Sequence, residues 1–449
     1  MVELKEQVDL SGYLRLLPHM RLVLGGRRGC LYNLLNGAMY SMNNAVTDFL
    51  VQTLGINHEE LTVIDALKKS ANDKELIEIV YQLVNNGDAI ILNEPYILKS
   101  ARFGRSPKLK QIFSSKGLER IYLQITSLCN LNCIFCKPGS KMLRSTGCLR
   151  GLISDNTMTI EDWKEVLRQA YKAGAKTLII YGGEPLLTID CFSEVIIYAK
   201  YLGFKDMIIY TNGTLIQEYM DILYKLFNGV HVIFVIQWFS HTKKVHDCIT
   251  QKSGSFEKMI SGINKLKEYS FTVYIKYVIT SLTINNFSNE INYIKSIKIP
   301  YHCDYIYSNK SMIGGSNELL NFASNPSMRF QKITCSIIQM YEEEHPCLSG
   351  QIAINSDGYA FPCPLMIGMK LGCVKSIPLG KIIALNETKK WWQLTPDKRL
   401  KCRDCEFRLG CFDCRAVQLS INDETDTQYC LYDPLSLKSF EEQLKERGF

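Results

Sequence analysis

No stretch of this chain is apolar enough to cross a bilayer. Apolar runs such as Thr177–Tyr181 and Val232–Phe239 fall far short of the about 20 residues that a spanning helix needs. The opening residues, MVELKEQVDL, mix charges and lack the apolar core of a signal peptide. A cytoplasmic protein with no membrane partner is therefore expected. A large excess of one charge is also missing. The net charge is +7, whereas a nucleic-acid binder needs a basic stripe. The one dense basic stretch is Lys99–Lys116, which holds Lys99, Arg102, Arg105, Lys108, Lys110 and Lys116 and no acid. We take it as a solvated linker and expect no nucleic-acid partner. Hydrophobic residues make up 46% of the 449, which rules against wholesale disorder, and the length suggests about two to four domains.

Cysteine is abundant. There are 17, an odd number, in a chain with no export signal. Structural disulfides are rare in the cytosol, so clustered cysteines there point to metal or catalysis. Two tight groups stand at 129–136 and 402–414, with others at 347, 363 and 430. Cys30, Cys148, Cys191, Cys248, Cys303, Cys335 and Cys373 are scattered and fit small buried hydrophobes, although Cys335 and Cys373 lie close enough to the tail group to be counted as spare ligands.

Three regions follow from the patterning. Residues 1–98 form a small α+β unit, with strands at Met20–Leu24, Cys30–Leu34 and Ala89–Leu92 and helices at Asn44–Leu54, His58–Lys68 and Asp73–Asn85. This order describes a winged-helix-like domain. Residues 99–118 are the basic linker. From 119 to 334 strands and helices alternate, with strands at Arg120–Thr126, Thr177–Tyr181, Met207–Tyr210, Val230–Phe239, Phe271–Thr280 and Tyr301–Tyr307. That alternation implies a parallel sheet, and six such strands make an α/β partial (β/α)6 TIM-like barrel whose site lies at the C-terminal strand ends. Residues 335–449 are cysteine-rich with weak periodicity, the mark of a segment that folds around metal.

The motifs fall at those strand ends. Cys129-x3-Cys133-x2-Cys136 follows the first strand. Three thiolates on one loop can hold a cubane cluster while leaving one iron open, since a closed electron-transfer cluster takes four. Gly182–Gly183–Glu184–Pro185 follows the second strand; glycine lets backbone approach closely, and the glutamate can receive an ammonium. Thr211–Asn212–Gly213–Thr214 follows the third. In the tail, Cys347, Gly358-x4-Cys363, Cys402-x2-Cys405-x5-Cys411-x2-Cys414 and Cys430 form a second array. A zinc site built from the paired Cys-x2-Cys units is its competing reading.

Together these motifs resemble the radical SAM superfamily, in which the open iron binds the methionine part of S-adenosylmethionine (SAM). The resemblance implies that Cys129, Cys133 and Cys136 hold a 4Fe–4S cluster. It also implies that Phe135 packs near the adenine, and that Gly182, Gly183, Glu184, Pro185 and Asn212 contact SAM. The chain departs from that pattern after the fourth strand: Gln237–Trp238–Phe239–Ser240 replaces a Ser-Leu-Asp end, and Thr250 stands where an arginine is usual. The tail resembles the SPASM domain with two auxiliary clusters. By that resemblance Cys402, Cys405, Cys411 and Cys430 hold the distal one, and Cys347, Cys363 and Cys414 the nearer one. Its fourth ligand would be Cys335, Cys373 or none. The last gap is two residues where three is usual. Within residues 1–98, Pro18-x-Met20 through Leu24, Leu31–Leu34 and Tyr40–Met42, followed by helices, are similar to the PqqD-like peptide-recognition domains of ribosomal-peptide maturation, and Cys402–Arg415 to the grasp-with-spasm maturases.

The expected function is that of a radical SAM oxidoreductase generating a 5′-deoxyadenosyl radical to crosslink a ribosomally made precursor peptide, by a thioether, carbon–carbon or ether bond. The expected cofactors are SAM and three 4Fe–4S clusters. The expected partners are the precursor peptide, its leader bound by the N-terminal domain, and a reductant such as flavodoxin or ferredoxin. A sulfatase-maturing oxidase acting on a protein and a non-catalytic cluster-bearing protein are the alternatives. No general base is singled out; Asp247, Glu184 and Asp304 are polar residues near strand ends.

Overall fold

A computed structural model describes residues 8–56, 59–70, 73–95, 117–136, 144–145, 155–280, 282–307, 333–411, 414–416, 430 and 432–446. The basic stretch 99–116 and Cys148 lie outside these.

Six parallel strands form the centre, neighbours in chain order: β6 (Arg120–Thr126), β8 (Thr177–Gly182), β9 (Asp206–Thr211), β10 (His231–Trp238), β11 (Thr272–Ile279) and β12 (Tyr301–Tyr307). The helices between them are α4 (Ile160–Lys172), α5 (Ile189–Leu202), α6 (Ile216–Leu226), α7 (Lys243–Thr250), α8 (Ser255–Glu268) and α9 (Phe287–Ser296). Local chemistry sets their ends. Thr159 and Asp162 form a reciprocal cap that starts α4, satisfying amides that the first turn leaves orphaned. On each strand alternate residues point to opposite faces. Ile121, Leu123, Leu178, Ile180, Met207, Ile209, Phe234 and Ile236 enter the core shared with the helices. Tyr122, Tyr181 and Tyr210 face the other way and pack together with Leu348 and Cys363.

The sheet is open. β12 pairs on its outer side with the two-residue strand β7 (Arg144–Ser145). β6 pairs with a strand from the cysteine-rich tail, β13 (Gln351–Ile354), in parallel. β13 continues through β14 (Tyr359–Phe361) and β15 (Gly372–Cys373), giving ten strands in all. The tail thus extends the barrel sheet, with Ile352 and Ile354 in the barrel core.

The N-terminal unit contains an antiparallel sheet of β2 (Met20–Leu24), β3 (Gly29–Asn33) and β4 (Met39–Met42). It also contains a two-stranded ladder of β1 (Tyr13–Leu16) and β5 (Ala89–Leu92). The helices α1 (Asn44–Thr53), α2 (Val63–Lys68) and α3 (Asp73–Asn85) cover one side. The helix expected over 58–68 starts at Val63, because Thr62 caps it by accepting from the Asp65 amide. Strand β1 is an addition to the sequence reading. Among the described residues no helix is long and apolar enough to cross a membrane.

Candidate functional site

The cysteine loop leaves β6 and is held on three sides. The loop after β8 meets it first: the Gly183 amide donates to the Thr126 carbonyl at 3.0 Å and the Glu184 amide to the Leu128 carbonyl at 2.6 Å. A Cβ on Gly183 would lie 1.7 Å from the Leu128 oxygen, so only glycine allows this contact. Gly182 has φ +138°, a region glycine alone enters cheaply. The two glycines therefore bring backbone against the cysteine loop itself.

The loop after β9 meets it next. Asn212 Nδ2 donates to Asn130 Oδ1 at 2.8 Å and lies 3.9 Å from the Cys129 sulfur. Asn130 Nδ2 donates to Thr214 Oγ1 at 2.8 Å, and Thr214 donates to Asn212 Oδ1 through both its amide and its hydroxyl. Sequence reasoning singled out Asn212, with Thr214 in the same motif, but not Asn130; an asparagine directly after Cys129 was the available signal. The third hold comes from α7, where the Thr250 and Ile249 carbonyls accept from the Asn132 and Ile134 amides. Thr250, standing in the place of a usual arginine, serves the loop through its backbone.

Cys133, Cys136 and Phe135 are buried together with Leu131, Phe239, Ile249 and Val278, and Cys129 packs against them. The rings of Phe135 and Phe239 are 5.4 Å apart. Phe239 also touches His246, whose burial lowers its pKa to about 4 and keeps the imidazole neutral.

Glu184 is fully buried. It accepts from the Thr211 hydroxyl at 2.8 Å, the Asn212 amide at 2.8 Å and the Leu186 amide at 3.1 Å. Burial raises its pKa to about 7, and those three donors keep it from rising further. Pro185 opens the short turn Pro185–Thr188 that Glu184 caps. A cation arriving beside this carboxyl would find a group ready to ionise.

The other acids near strand ends have local partners. Asp247 accepts from the Gly254 and Phe256 amides and the Ser255 hydroxyl at 2.8–2.9 Å. Burial pushes its carboxyl up, but these donors outweigh it and hold it below its usual range. Asp304 pairs with Lys276 at 3.0 Å. Glu290, which the sequence gave no reason to choose, is buried and binds the Ser240 hydroxyl and the His241 amide, both at 2.6 Å. It fixes the end of β10 where the motif departs.

The tail cysteines stand in two places. Cys363 and Cys414 pack beside Tyr122, Tyr181 and Tyr210 of the barrel. The Cys347 carbonyl accepts from Arg120 at 2.9 Å. Cys405 and Cys430 pack instead with Val23, Cys30 and Tyr32 of the N-terminal sheet. Cys335 opens the helix α10 (Cys335–Glu343), and the Cys373 thiol points to the Asp357 carbonyl at 3.9 Å. Neither joins the apolar group around Cys363 and Cys414. Among the described residues no three His, Cys, Asp or Glu side chains are gathered around the volume of a single metal ion. The cysteine loop suits a larger body: its thiols sit on one short segment, in an apolar wall, with the Asn212 side-chain amide beside the Cys129 sulfur. That is the chemistry an iron–sulfur cluster requires.

Comparison with known proteins agrees with this geometry. Residues 123–292 match the Radical SAM superfamily. The AdoMet-dependent heme synthase of Methanosarcina barkeri is 22% identical over 347 residues, covering 69% of this chain and 95% of that protein. The sporulation killing factor maturation protein SkfB of Bacillus subtilis is 24% identical over 277 residues, covering 58% and 62%. Native anSMEcpe with bound AdoMet superposes with a TM-score of 0.53 at 17% identity, covering 73% of this chain and 96% of that one, which shows a shared fold. The matched segment carries the cysteine loop, the Gly182–Pro185 turn and Asn212, so the similarity to the radical SAM superfamily falls on the site itself.

Proposed function

We propose that this enzyme modifies a ribosomally made precursor peptide by hydrogen abstraction from a side chain or Cα, followed by an intramolecular crosslink in which the remaining electron passes to an auxiliary cluster and the remaining proton to solvent. The observation that carries the reading is the site itself. Three cysteines on one loop are fastened to Gly183, Glu184 and Asn212 at the ends of the first three barrel strands. When bound there, a 4Fe–4S cluster with SAM supplies the 5′-deoxyadenosyl radical. Cys129, Cys133 and Cys136 hold the cluster. Glu184 receives the methionine ammonium and becomes ionised on doing so, Gly182 and Pro185 shape the turn around it, and Asn212 orients the Cys129 side of the loop. Phe135 and Phe239 give the adenine an apolar wall and exclude water. A flavodoxin or ferredoxin supplies electrons.

The likeness to a maturation protein supports a peptide substrate, and anSMEcpe is also known with AdoMet and a Kp18Cys peptide at a TM-score of 0.51. Residues 1–98 serve as a winged-helix-like, PqqD-type leader-recognition domain. β4 is the outer strand of a three-stranded sheet, and Tyr40 on it is half exposed. An extended peptide adds to such an edge by main-chain hydrogen bonds. The cysteine-rich tail serves as a SPASM domain. Its two cysteine placements support two auxiliary clusters, one on Cys347, Cys363 and Cys414 facing the barrel, the other on Cys402, Cys405, Cys411 and Cys430.

The test is to incubate anaerobic enzyme, SAM and dithionite with a small peptide encoded beside it, and weigh the peptide. A mass lower by the hydrogens that one crosslink removes, dependent on SAM, is expected. An unchanged peptide alongside steady 5′-deoxyadenosine formation would count against the substrate class.

A further inference from the structure

A buried ion pair joins the first and last parts of the chain. Arg28, in the turn between β2 and β3, and Glu406, next to Cys405, are buried at 6% and 0% exposure. Their nearest charged atoms are 3.6 Å apart. Tyr432 donates to the Glu406 carboxylate at 2.6 Å and Ser41 on β4 at 3.4 Å. Arg28 in turn donates to the Ser41 hydroxyl at 3.3 Å.

Backbone contacts run alongside. Tyr32 donates through its hydroxyl to the Glu406 carbonyl at 2.7 Å. The Gly26 amide donates to the Asp404 carbonyl at 2.7 Å. Arg408 bridges the Leu24 carbonyl at 2.7 Å and the Cys405 carbonyl at 3.0 Å. A Cβ on Gly25 would lie 2.9 Å from the Glu406 nitrogen and 3.0 Å from the Asp404 oxygen, so the two backbones touch. Around them Val23, Cys30, Tyr32, Phe407, Leu409 and Tyr432 share one apolar cluster.

A separable module would not bury a charge against the body it hangs from. Removing one partner of such a pair leaves the other charge buried and uncompensated, which is costly, whereas replacing both by apolar groups of similar size often is not. We infer that residues 8–92 are a structural component of the cysteine-rich tail, and that Arg28 and Glu406 are positioning residues that hold the loop bearing Cys402, Cys405 and Cys411 against the N-terminal sheet. Excision of 1–98 would strip the cover from Cys405 and strand Glu406, so loss of activity on truncation reports the tail as well as peptide capture. The inference does not depend on what the sheet captures.

The test uses the full-length chain with Arg28→Met, Glu406→Met, the double substitution, Arg28→Lys and Gly25→Val. Amide exchange over 29–42 and 402–411 is followed in metal-free protein, and iron is counted after anaerobic reconstitution. Each single Met variant is expected to speed exchange in both segments together by about tenfold or more. It should also lower iron by about one cubane, roughly four atoms, with 5′-deoxyadenosine formation retained. The double variant and Arg28→Lys should recover most of the protection. Gly25→Val, which keeps both charges, should reproduce the paired loss by wedging the backbones apart. If the single variants fail to fold, Arg28→Lys and Gly25→Val carry the same comparison. Exchange that changes in 29–42 alone, iron indifferent to the single variants, or a double variant no better than the added singles would overturn the proposal.

Discussion

Replacing Glu184 by glutamine should change how the protein's stability depends on pH. In the unfolded chain this carboxyl titrates at 4.5; in the folded protein burial raises it to about 7. Between those values the folded state holds a proton that the unfolded chain has released. Its stabilising contribution is therefore present below pH 4.5 and is lost as pH rises through about 7. At about 1.4 kcal/mol per tenfold in proton affinity, the contribution lost between pH 5 and pH 8 is roughly 2.5 kcal/mol. Glutamine cannot titrate, so Glu184→Gln removes this part of the slope and leaves every other group's part in place. The assay is chemical denaturation of metal-free wild type and variant at pH 5 and pH 8, or amide exchange of β8 and β9, which follows that region alone. Wild type should lose about 2.5 kcal/mol more than the variant across this interval. Equal slopes would mean that Glu184 is ionised in the folded protein and that its burial has been misjudged.

Three other outcomes follow. If Glu184 receives the SAM ammonium, binding at pH 6 should release close to one proton per SAM, since a group titrating near 7 is about nine-tenths protonated there; calorimetry in buffers of different ionisation enthalpy measures this, and Glu184→Gln should release none. Gly183→Ala puts a methyl group on the Leu128 carbonyl, so it should cost the cluster on the cysteine loop while far-ultraviolet circular dichroism stays native; retained iron would show that the two loops can part freely. Asp247→Ala removes three hydrogen bonds at the start of α8 and should lower stability by about 1–2 kcal/mol without abolishing 5′-deoxyadenosine formation; complete loss of that product with stability intact would assign Asp247 to the chemistry.

The barrel was legible because its signal is local and repeated. Each strand is a short apolar run, so the six strands appear within a residue or so of their predicted places, whereas the eight-residue helix α7 was not anticipated. The cysteine loop was legible for a similar reason, since its spacing lies within eight residues. Long-range partners were not. The run Gln351–Ile354 is four residues inside a cysteine-rich stretch, and nothing local says that it pairs in parallel with β6. Thr250 looks like a departure because the side chain differs, yet its carbonyl holds Asn132, and a backbone role leaves no mark on residue identity. Glu184 is conspicuous in sequence, but its partners Thr211 and Asn212 belong to another strand end. Arg28 and Glu406 lie at opposite ends of the chain and look like ordinary surface charges until the N-terminal sheet is seen against the tail.

The central claim is that Cys129, Cys133 and Cys136 hold a cluster that cleaves SAM. Anaerobic protein should be assayed for iron and sulfide, then given SAM and dithionite and assayed for 5′-deoxyadenosine, beside Cys133→Ala. The account predicts about twelve irons in the wild type, three cubanes of about four each, with 5′-deoxyadenosine formed. In Cys133→Ala it predicts about four fewer irons and no 5′-deoxyadenosine. Zinc in place of iron, or product formed equally well by the variant, would contradict it.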